Sequence, residues 1–374
     1  MTAIGRTSTA PDVVDVVALG ESMVTFLPSR PGRLADVPSF DRAIGGAESN
    51  VACVLAAAGH SARWAGRVGA DGFGDHLVEA IGAYGVDVRA VRRDPARPTG
   101  IYFRTAGDRA TDAHEVAYYR AGSAASAMSV DTMDLDAVRS GRVLHLSGIT
   151  PALSADCLDL TRELTARRPG RPLVSFDVNH RPGLWRDAGH GHGPEVLLDL
   201  ARGADLVFVG DDEARDAWGL GGPEAVRAAL PEPELLVVKQ GADGATAFHR
   251  TGGGADEVTS VPALTVDVVA AVGAGDAFAA GFLSATLRDK PVRERLRHGH
   301  LMAAAALTAP GDLAVPPPAR HPATAPHGAA SRRPSWIEHA DRLAALDDAA
   351  WGRLRLGPGW THAAEGAEEE VRTP

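Results

Sequence analysis

Gly273-Ala274-Gly275-Asp276 runs straight into Ala277-Phe278-Ala279-Ala280-Gly281-Phe282-Leu283. A turn of small residues therefore delivers an acid to the start of an apolar helix. In such a turn several backbone N–H groups can point the same way, and the helix N-terminus adds partial positive charge. The expected product is a cradle for a phosphate with a carboxylate beside it. That pairing suits transfer of a phosphoryl group to a hydroxyl, with amides holding the charge and the acid removing the proton. Taken alone, the tetrapeptide reads first as helix capping, which favours Asp and Gly here. The rest of the chain has to decide between the two.

Outward from this turn, apolar strands alternate with helical patterns. Strands are expected at 16–20, 62–68, 143–149, 173–178, 206–209 and 235–238. Helices are expected at 48–58, 75–84, 154–167, 276–287 and 292–308. Uniformly apolar strands between helices predict an α/β fold, a mostly parallel sheet covered on both faces. Two more polar, β-rich segments, 22–44 and 98–120, break the rhythm and predict a small separate sheet acting as a lid.

The chain of 374 residues is long enough for one large α/β domain or two smaller ones. Aromatic residues are only 5% while Ala and Gly are abundant, which favours close helix–sheet packing over an aromatic-rich sandwich. A net charge of −10 argues against a nucleic-acid surface, although local basic groups still bind anionic substrates. Cys53 and Cys157 lie in helical apolar patterns without a CxxC pair and read as reduced core residues of a cytosolic protein. The N-terminus lacks a basic-then-apolar signal pattern, and no apolar run approaches the ~20 residues of a membrane span. A cytoplasmic protein with no membrane partner is therefore expected.

Gly45-Gly46-Ala47-Glu48-Ser49-Asn50-Val51-Ala52 and Gly66-Arg67-Val68-Gly69-Ala70-Asp71-Gly72-Phe73-Gly74 precede the Gly-Ala-Gly-Asp turn by some two hundred residues. Together these motifs closely resemble the ribokinase-like (PfkB-type) sugar kinases, over about residues 15–309. Separate signatures in the right order shift the reading of the turn from capping to catalysis. The resemblance implies a three-layer α/β/α core with a β-sheet lid, ATP with Mg²⁺ as donor, and a sugar hydroxyl as acceptor. It implies Asp276 as general base and the Gly273-Ala274-Gly275 turn as an anion hole built from the amides of Ala274, Gly275 and Asp276. Fixed N–H donors suit the charge that spreads over the phosphoryl oxygens during transfer.

Val207-Phe208-Val209-Gly210-Asp211-Asp212-Glu213 sits where the family has an Asn-x-x-Glu motif that organises Mg²⁺ through water. Glu213 matches, while Gly210 replaces the Asn. Without the family, Glu213 is a first-turn helix acid. Lys239-Gln240-Gly241-Ala242-Asp243-Gly244-Ala245 resembles the strand and turn bordering the ATP phosphates and base, which implies nucleotide-binding roles for Lys239, Gly241 and Gly244. By itself it is a hairpin with Gly at its turn positions.

The segments Val116-Ala117-Tyr118-Tyr119-Arg120 and Asp177-Val178-Asn179-His180-Arg181-Pro182 are similar to those of 2-keto-3-deoxygluconate kinases. That likeness implies Tyr102, Tyr118, Arg120 and Arg181 around the acceptor, with Gly45, Gly46 and Asn50 against its chain and Asp177 orienting Arg181. Alternation along the strand sends one of Tyr118 and Tyr119 toward the ligand and the other to the back of the lid or a partner subunit. Arg suits an acid sugar because its planar fork matches a carboxylate. The alternatives are a kinase for fructose, another ketose or a nucleoside, and a catalytically silent sugar-binding relative.

Relatives carry an Asp three residues before the first Gly of the anion-hole motif, where it helps hold a monovalent cation. Here Ala270 stands there, so weak or no potassium dependence is expected, and Asp267 is not assumed to substitute. The pairs His190/His192 and His298/His300 read as loop or helix-surface histidines rather than metal ligands. Residues 1–14 read as a tail, 310–334 as a Pro/Ala-rich linker and 335–374 as an extension with a short helix and an acidic tail. A lid sheet has edges that want covering, so a homodimer through the lid is expected.

Overall fold

The computed structural model describes residues 12–30, 32–105, 115–186, 188, 191–250, 252, 254–270, 272–309, 311–314 and 335–362. The chain opens with β1 (Val14–Leu19), the lid pair β2 (Met23–Pro28) and β3 (Phe40–Gly45), and α1 (Ala47–Ala57). Next come β4 (Ala62–Gly69), α2 (Gly72–Ala83) and β5 (Val91–Asp94), then a second lid pair, β6 (Ile101–Arg104) and β7 (Val116–Tyr119). A short α3 (Leu135–Arg139) leads to β8 (Gly141–Ser147), α4 (Ala155–Thr165) and β9 (Leu173–Asp177). After α5 (Pro182–Arg186) and α6 (Glu195–Gly203), β10 (Leu206–Gly210) runs into α7 (Asp211–Trp218) and α8 (Pro223–Ala229). The remainder is β11 (Leu235–Lys239), β12 (Ala245–Arg250), β13 (Asp256–Val261), β14 (Thr265–Val266), α9 (Ala274–Leu287), α10 (Val292–Leu307), α11 (Ser335–Ala344), α12 (Asp348–Arg353) and β15 (Arg355–Leu356).

The large sheet has the order β13-β12-β11-β10-β9-β8-β1-β4-β5. Pairing is parallel from β5 to β11 and antiparallel from β11 to β13. Period-two alternation assigns each strand to both faces at once. Val16, Ala18, Phe208 and Val237 pack into one core with residues of α1, α9 and α10. Val17, Leu19, Val207, Val209 and Val238 pack into the other with α4 and α6. Both cores are helix-covered, which is why 16–19, 206–209 and 235–238 are apolar at every position. Cys53 and Cys157 are free and buried within them.

The lid has the order β3-β2-β6-β7, with β2 and β6 parallel and the outer pairings antiparallel. Its residues agree with the two polar β-rich segments of the sequence, although 106–114 lie outside the described residues. Alternation splits Tyr118 from Tyr119: Tyr118 lines the cavity below, and Tyr119 packs edge-on against Phe103 on the other face.

Several local readings change. Helix α2 starts at Gly72 rather than 75 because the Asp71 carboxylate caps it, accepting from Phe73 and Gly74 N–H. Helices α6 and α8 and strand β13 were not anticipated. The extension read as one short helix and a tail holds two helices and a strand: β15 pairs with β14, and Trp351 is buried with its Nε1 donating to Pro262 O at 3.1 Å. His298 and His300 are buried rather than on the surface. His298 sits 3.0 Å from Asp341 and beside Arg288, and His300 bonds Val261 O at 3.2 Å. His190 lies outside the described residues. No helix among the described residues is long and apolar enough to cross a membrane.

Candidate active site

The chain leaves β1 for β4 on one side and later returns to β8 on the other, so strand order reverses at β1. Ligands of open α/β sheets bind beyond the strand C-termini at such a reversal. A cavity of about 1070 Å³ lies there, lined by residues that follow β1, β8, β9 and β10, by Lys239 at the end of β11, by the lid, and by the α9 turn.

Asp276 is the third residue of α9. Gly273, just before the helix, has φ 76°, and a Cβ there would lie 2.6 Å from Asp312 O. Left-handed backbone and close approach together demand glycine. Ala277 is the first residue to donate within the helix, to Gly273 O at 2.9 Å. The amides of Ala274, Gly275 and Asp276 are thus the unpaired donors of the helix start. The half-buried Asp276 carboxylate is gripped at both oxygens. Asn50 Nδ2, in the first turn of α1, donates to Oδ2 at 2.9 Å, and Asn179 Nδ2 donates to Oδ1 at 3.3 Å. Burial raises the Asp276 pKa; the Asn50 bond, Arg181 and Lys239 oppose the rise, and Asp312 adds to it.

Lys239 Nζ lies 3.0 and 3.1 Å from the Asp177 oxygens and would sit 3.5 Å from a Cβ at Gly275. Burial works against its charge, but Asp177 and Glu213 more than offset this and raise its pKa. Asp177 is therefore the counter-ion of Lys239, not the orienter of Arg181, and it lies behind the cavity wall. The reason is register: β9, β10 and β11 are neighbours, which sets the ends of β9 and β11 close together. Arg181 is half exposed and its nearest acid is Glu213 at 3.6 Å. Glu213 Oε2 accepts from Gly210 N–H at 2.7 Å, so this residue both caps α7 and lines the cavity. Gly241 and Gly244 shape the turn after β11 with φ 57° and 122° and do not line the cavity.

At the lid end, Tyr102 and Tyr118 are directly opposed in register, with ring centroids 5.4 Å apart. Tyr102 OH donates to Asp312 Oδ2 at 3.2 Å, and Arg104 donates to Asp312 Oδ1 at 2.7 Å. Gly45 closes this corner, because a Cβ there would strike the Tyr102 hydroxyl. Gly46 follows it in the cavity wall. Arg120 lies over the Tyr118 ring at 5.6 Å and pairs with Glu21, which also accepts from Ser123 Oγ at 2.8 Å.

The structure thus brings Gly45, Gly46, Asn50, Tyr102, Tyr118, Arg120, Arg181, Glu213, Lys239 and the Gly273–Asp276 turn to one cavity. It adds residues that sequence reasoning missed. Glu21 follows β1, a position that strand-end logic marks. Asn179 lay unassigned within a quoted motif. Glu48 stands two residues before Asn50, and its carboxyl accepts from Ser147 and Thr150 beneath the site. Asp312 falls in the stretch read as a linker, yet it is buried at the cavity; no local pattern announces it. Val269 and Ala270 N–H both donate to Leu307 O, at 2.7 and 3.2 Å. Asp267 is drawn away to Arg355 at 2.6 Å.

The pfkB family carbohydrate kinase pattern matches residues 14–319. The chain is 34% identical over 308 residues to the 2-dehydro-3-deoxygluconokinase of Bacillus subtilis (strain 168), spanning 80% of this chain and 91% of that protein. It is 30% identical over 278 residues to fructokinase-1 of Zea mays, spanning 73% of this chain and 83% of that protein. A PfkB protein from Polaromonas sp. JS666, known from its crystal structure, superposes with a TM-score of 0.69 at 36% identity, covering 80% of this chain and 97% of that one. Helices α11 and α12 and strand β15 lie beyond the matched residues. With the matched unit spanning the whole sheet, the lid and the Asp276 turn, the chain belongs to the pfkB family of carbohydrate kinases.

Proposed function

We propose that the protein transfers the γ-phosphoryl group of ATP to the terminal hydroxyl of 2-keto-3-deoxygluconate. The observation that carries this reading is the cavity shared by Asp276, clamped at the start of α9, and the lid group Tyr102, Tyr118 and Arg120. The likeness to a 2-dehydro-3-deoxygluconokinase supports the acceptor.

Asp276 takes the proton of the acceptor hydroxyl as that oxygen bonds to the γ-phosphorus. The bond from the γ-phosphorus to its bridging oxygen breaks, and ADP leaves. The amides of Ala274, Gly275 and Asp276 stabilise the charge on the phosphoryl oxygens; losing one such donor costs ~10²–10³ in rate. Lys239, kept protonated by Asp177 and Glu213, adds a fixed positive charge beside Gly275. Gly241 and Gly244 let the hairpin after Lys239 turn tightly on the nucleotide side. Among the described residues no three potential ligands cluster as a metal cage. That fits Mg²⁺ carried by phosphates with one carboxylate nearby, and Glu213 would hold it through water. Bound Mg²⁺ neutralises charge on the phosphate oxygens. Arg120 takes the acid end of the sugar, and Gly45, Gly46 and Asn50 lie along its chain; Arg181, expected from the sequence at the acid end as well, stands beside Glu213 and would serve the phosphoryl end. A homodimer through the exposed edge of β7 belongs to this reading; a monomeric mass at micromolar concentration would remove that part.

One observation favours a second reading. Arg120 and Arg104 already face Glu21 and Asp312, so a neutral ketose such as fructose would leave both pairs undisturbed. ADP release with 2-keto-3-deoxygluconate, gluconate, fructose, ribose and adenosine decides between them. Turnover on the keto-deoxy acid is expected. Asp276→Asn should abolish it, and Arg120→Leu should lower its kcat/KM about 10–100-fold through lost charge-assisted bonds. Turnover on fructose alone replaces the acceptor, and no turnover on any acceptor refutes the kinase reading.

A further inference from the structure

Asn179 carries three unusual features at once. Its backbone has φ 39°, and Asp289 is the other non-glycine residue with positive φ among the described residues. Its side chain is buried, and its Oδ1 has no hydrogen-bond partner there. Its Nδ2 reaches Asp276 Oδ1 at 3.3 Å. A strained backbone and an orphaned buried oxygen are both unfavourable, and such features persist where function over-determines them.

The amide orientation is informative. An ionised carboxylate accepts hydrogen bonds and donates none. The Asn179 nitrogen faces Asp276, as an ionised carboxylate requires, and its oxygen faces away with no donor among the described residues. On the opposite side Asn50 Nδ2 holds Oδ2 at 2.9 Å, and its own Oδ1 is likewise unpartnered. With one amide on each oxygen, the carboxylate plane cannot rotate about the Cβ–Cγ bond. One lone pair per oxygen is occupied by a donor, and the rest are left for the acceptor hydroxyl.

We infer that Asn179 is a positioning residue for the base, fixing the Asp276 carboxylate plane and favouring its ionised form by donating to Oδ1. This rests on the proposed role of Asp276 as base. The charged groups facing Asp276 are Glu48 from α1, Asp177 at the end of β9, Lys239 from β11, Arg181, and Asp312. The three acids oppose its ionisation and the two bases support it. Donors on Oδ1 and Oδ2 are the neutral support that tips the balance toward the carboxylate.

The experiment uses the full chain and two variants. Asn179→Gly removes the amide while suiting the left-handed backbone, so folding is retained. Asn179→Asp keeps the shape and replaces the donor with a like charge. The first readout needs no substrate: the carboxyl carbon of Asp276 is titrated by carbon-13 NMR, assigned by its disappearance in Asp276→Asn. The midpoint should rise by about one pH unit in Asn179→Gly and further in Asn179→Asp. With an accepted sugar, kcat should fall about 10²-fold from the misplaced base, the KM for ATP should stay within about twofold, and the acid limb of kcat should move to higher pH. An unmoved midpoint in Asn179→Gly, whether or not the melting temperature drops, overturns the proposal and leaves Asn179 a structural residue. A wild-type protein silent toward every sugar would count against the kinase reading, and the NMR titration would still decide this one.

Discussion

Replacing Glu48 by Gln should make the pH dependence of stability flatter. Glu48 is fully buried in the first turn of α1, with Oε1 accepting from Ser147 at 2.7 Å and Thr150 at 3.1 Å and Oε2 without a partner among the described residues. Burial pushes its pKa up from 4.5 to about 7, against the two hydroxyls, and the nearby Asp276 charge adds to the rise. The folded value is raised, so the folded protein binds more protons than the unfolded chain between these limits. The stability it contributes is full below pH 4.5 and is lost as pH rises through 7. A rise of that size corresponds to about 3 kcal/mol, most of it lost between pH 5 and 8, a large share of the 5–15 kcal/mol that holds a typical domain together. Urea denaturation of wild type and Glu48→Gln at pH 5, 6, 7 and 8 reads it directly. Every other titrating group is common to both proteins, and the unsatisfied Gln amide adds an offset that does not vary with pH. Wild type should lose about 2–3 kcal/mol relative to the variant across this window. A difference that stays constant from pH 5 to 8 would refute the argument, since it would mean Glu48 is ionised throughout or reached by water.

Gly273→Ala forces a Cβ into left-handed backbone and against Asp312 O. Strain of about 1–3 kcal/mol is expected, with kcat falling at least tenfold because the turn amides shift; thermal melting and steady-state kinetics check both, and an active variant of unchanged stability would contradict the geometry. Trp351→Ala should cost about 3–5 kcal/mol, because the indole is buried, donates to Pro262 O and carries Arg297 at 4.8 Å. If the urea midpoint does not move, the extension is an appendage rather than part of the core.

Much of this was legible in the sequence because its cause is local. A strand buried on both faces must be apolar throughout, so Val16–Ala18 and Leu235–Val238 announced a covered parallel sheet. A helix start after Gly273-Ala274-Gly275 must expose N–H groups, so the outward donors of this turn could be read from four residues. The alternation of Tyr118 and Tyr119 follows from the pleat. Less local features were misread. His298 and His300 looked like surface residues until Asp341 of α11 met the first and Val261 of β13 and Trp351 of α12 met the second.

What the sequence determined by itself is the set of groups and their local geometry: the turn, the acid at its end, the strands that aim loops at one edge, and the lid hairpins. What the tertiary structure decided is which charge meets which. Asp177 went to Lys239 rather than to Arg181, Arg120 went to Glu21, and Asp312 came from a Pro-rich stretch to hold Tyr102 and Arg104. These partners lie tens to hundreds of residues apart, and strand order and lid register bring them together. Periodicity and capping act within one turn or one pleat. An ion pair depends on where two distant backbones end, and that is set by the packing of the whole sheet.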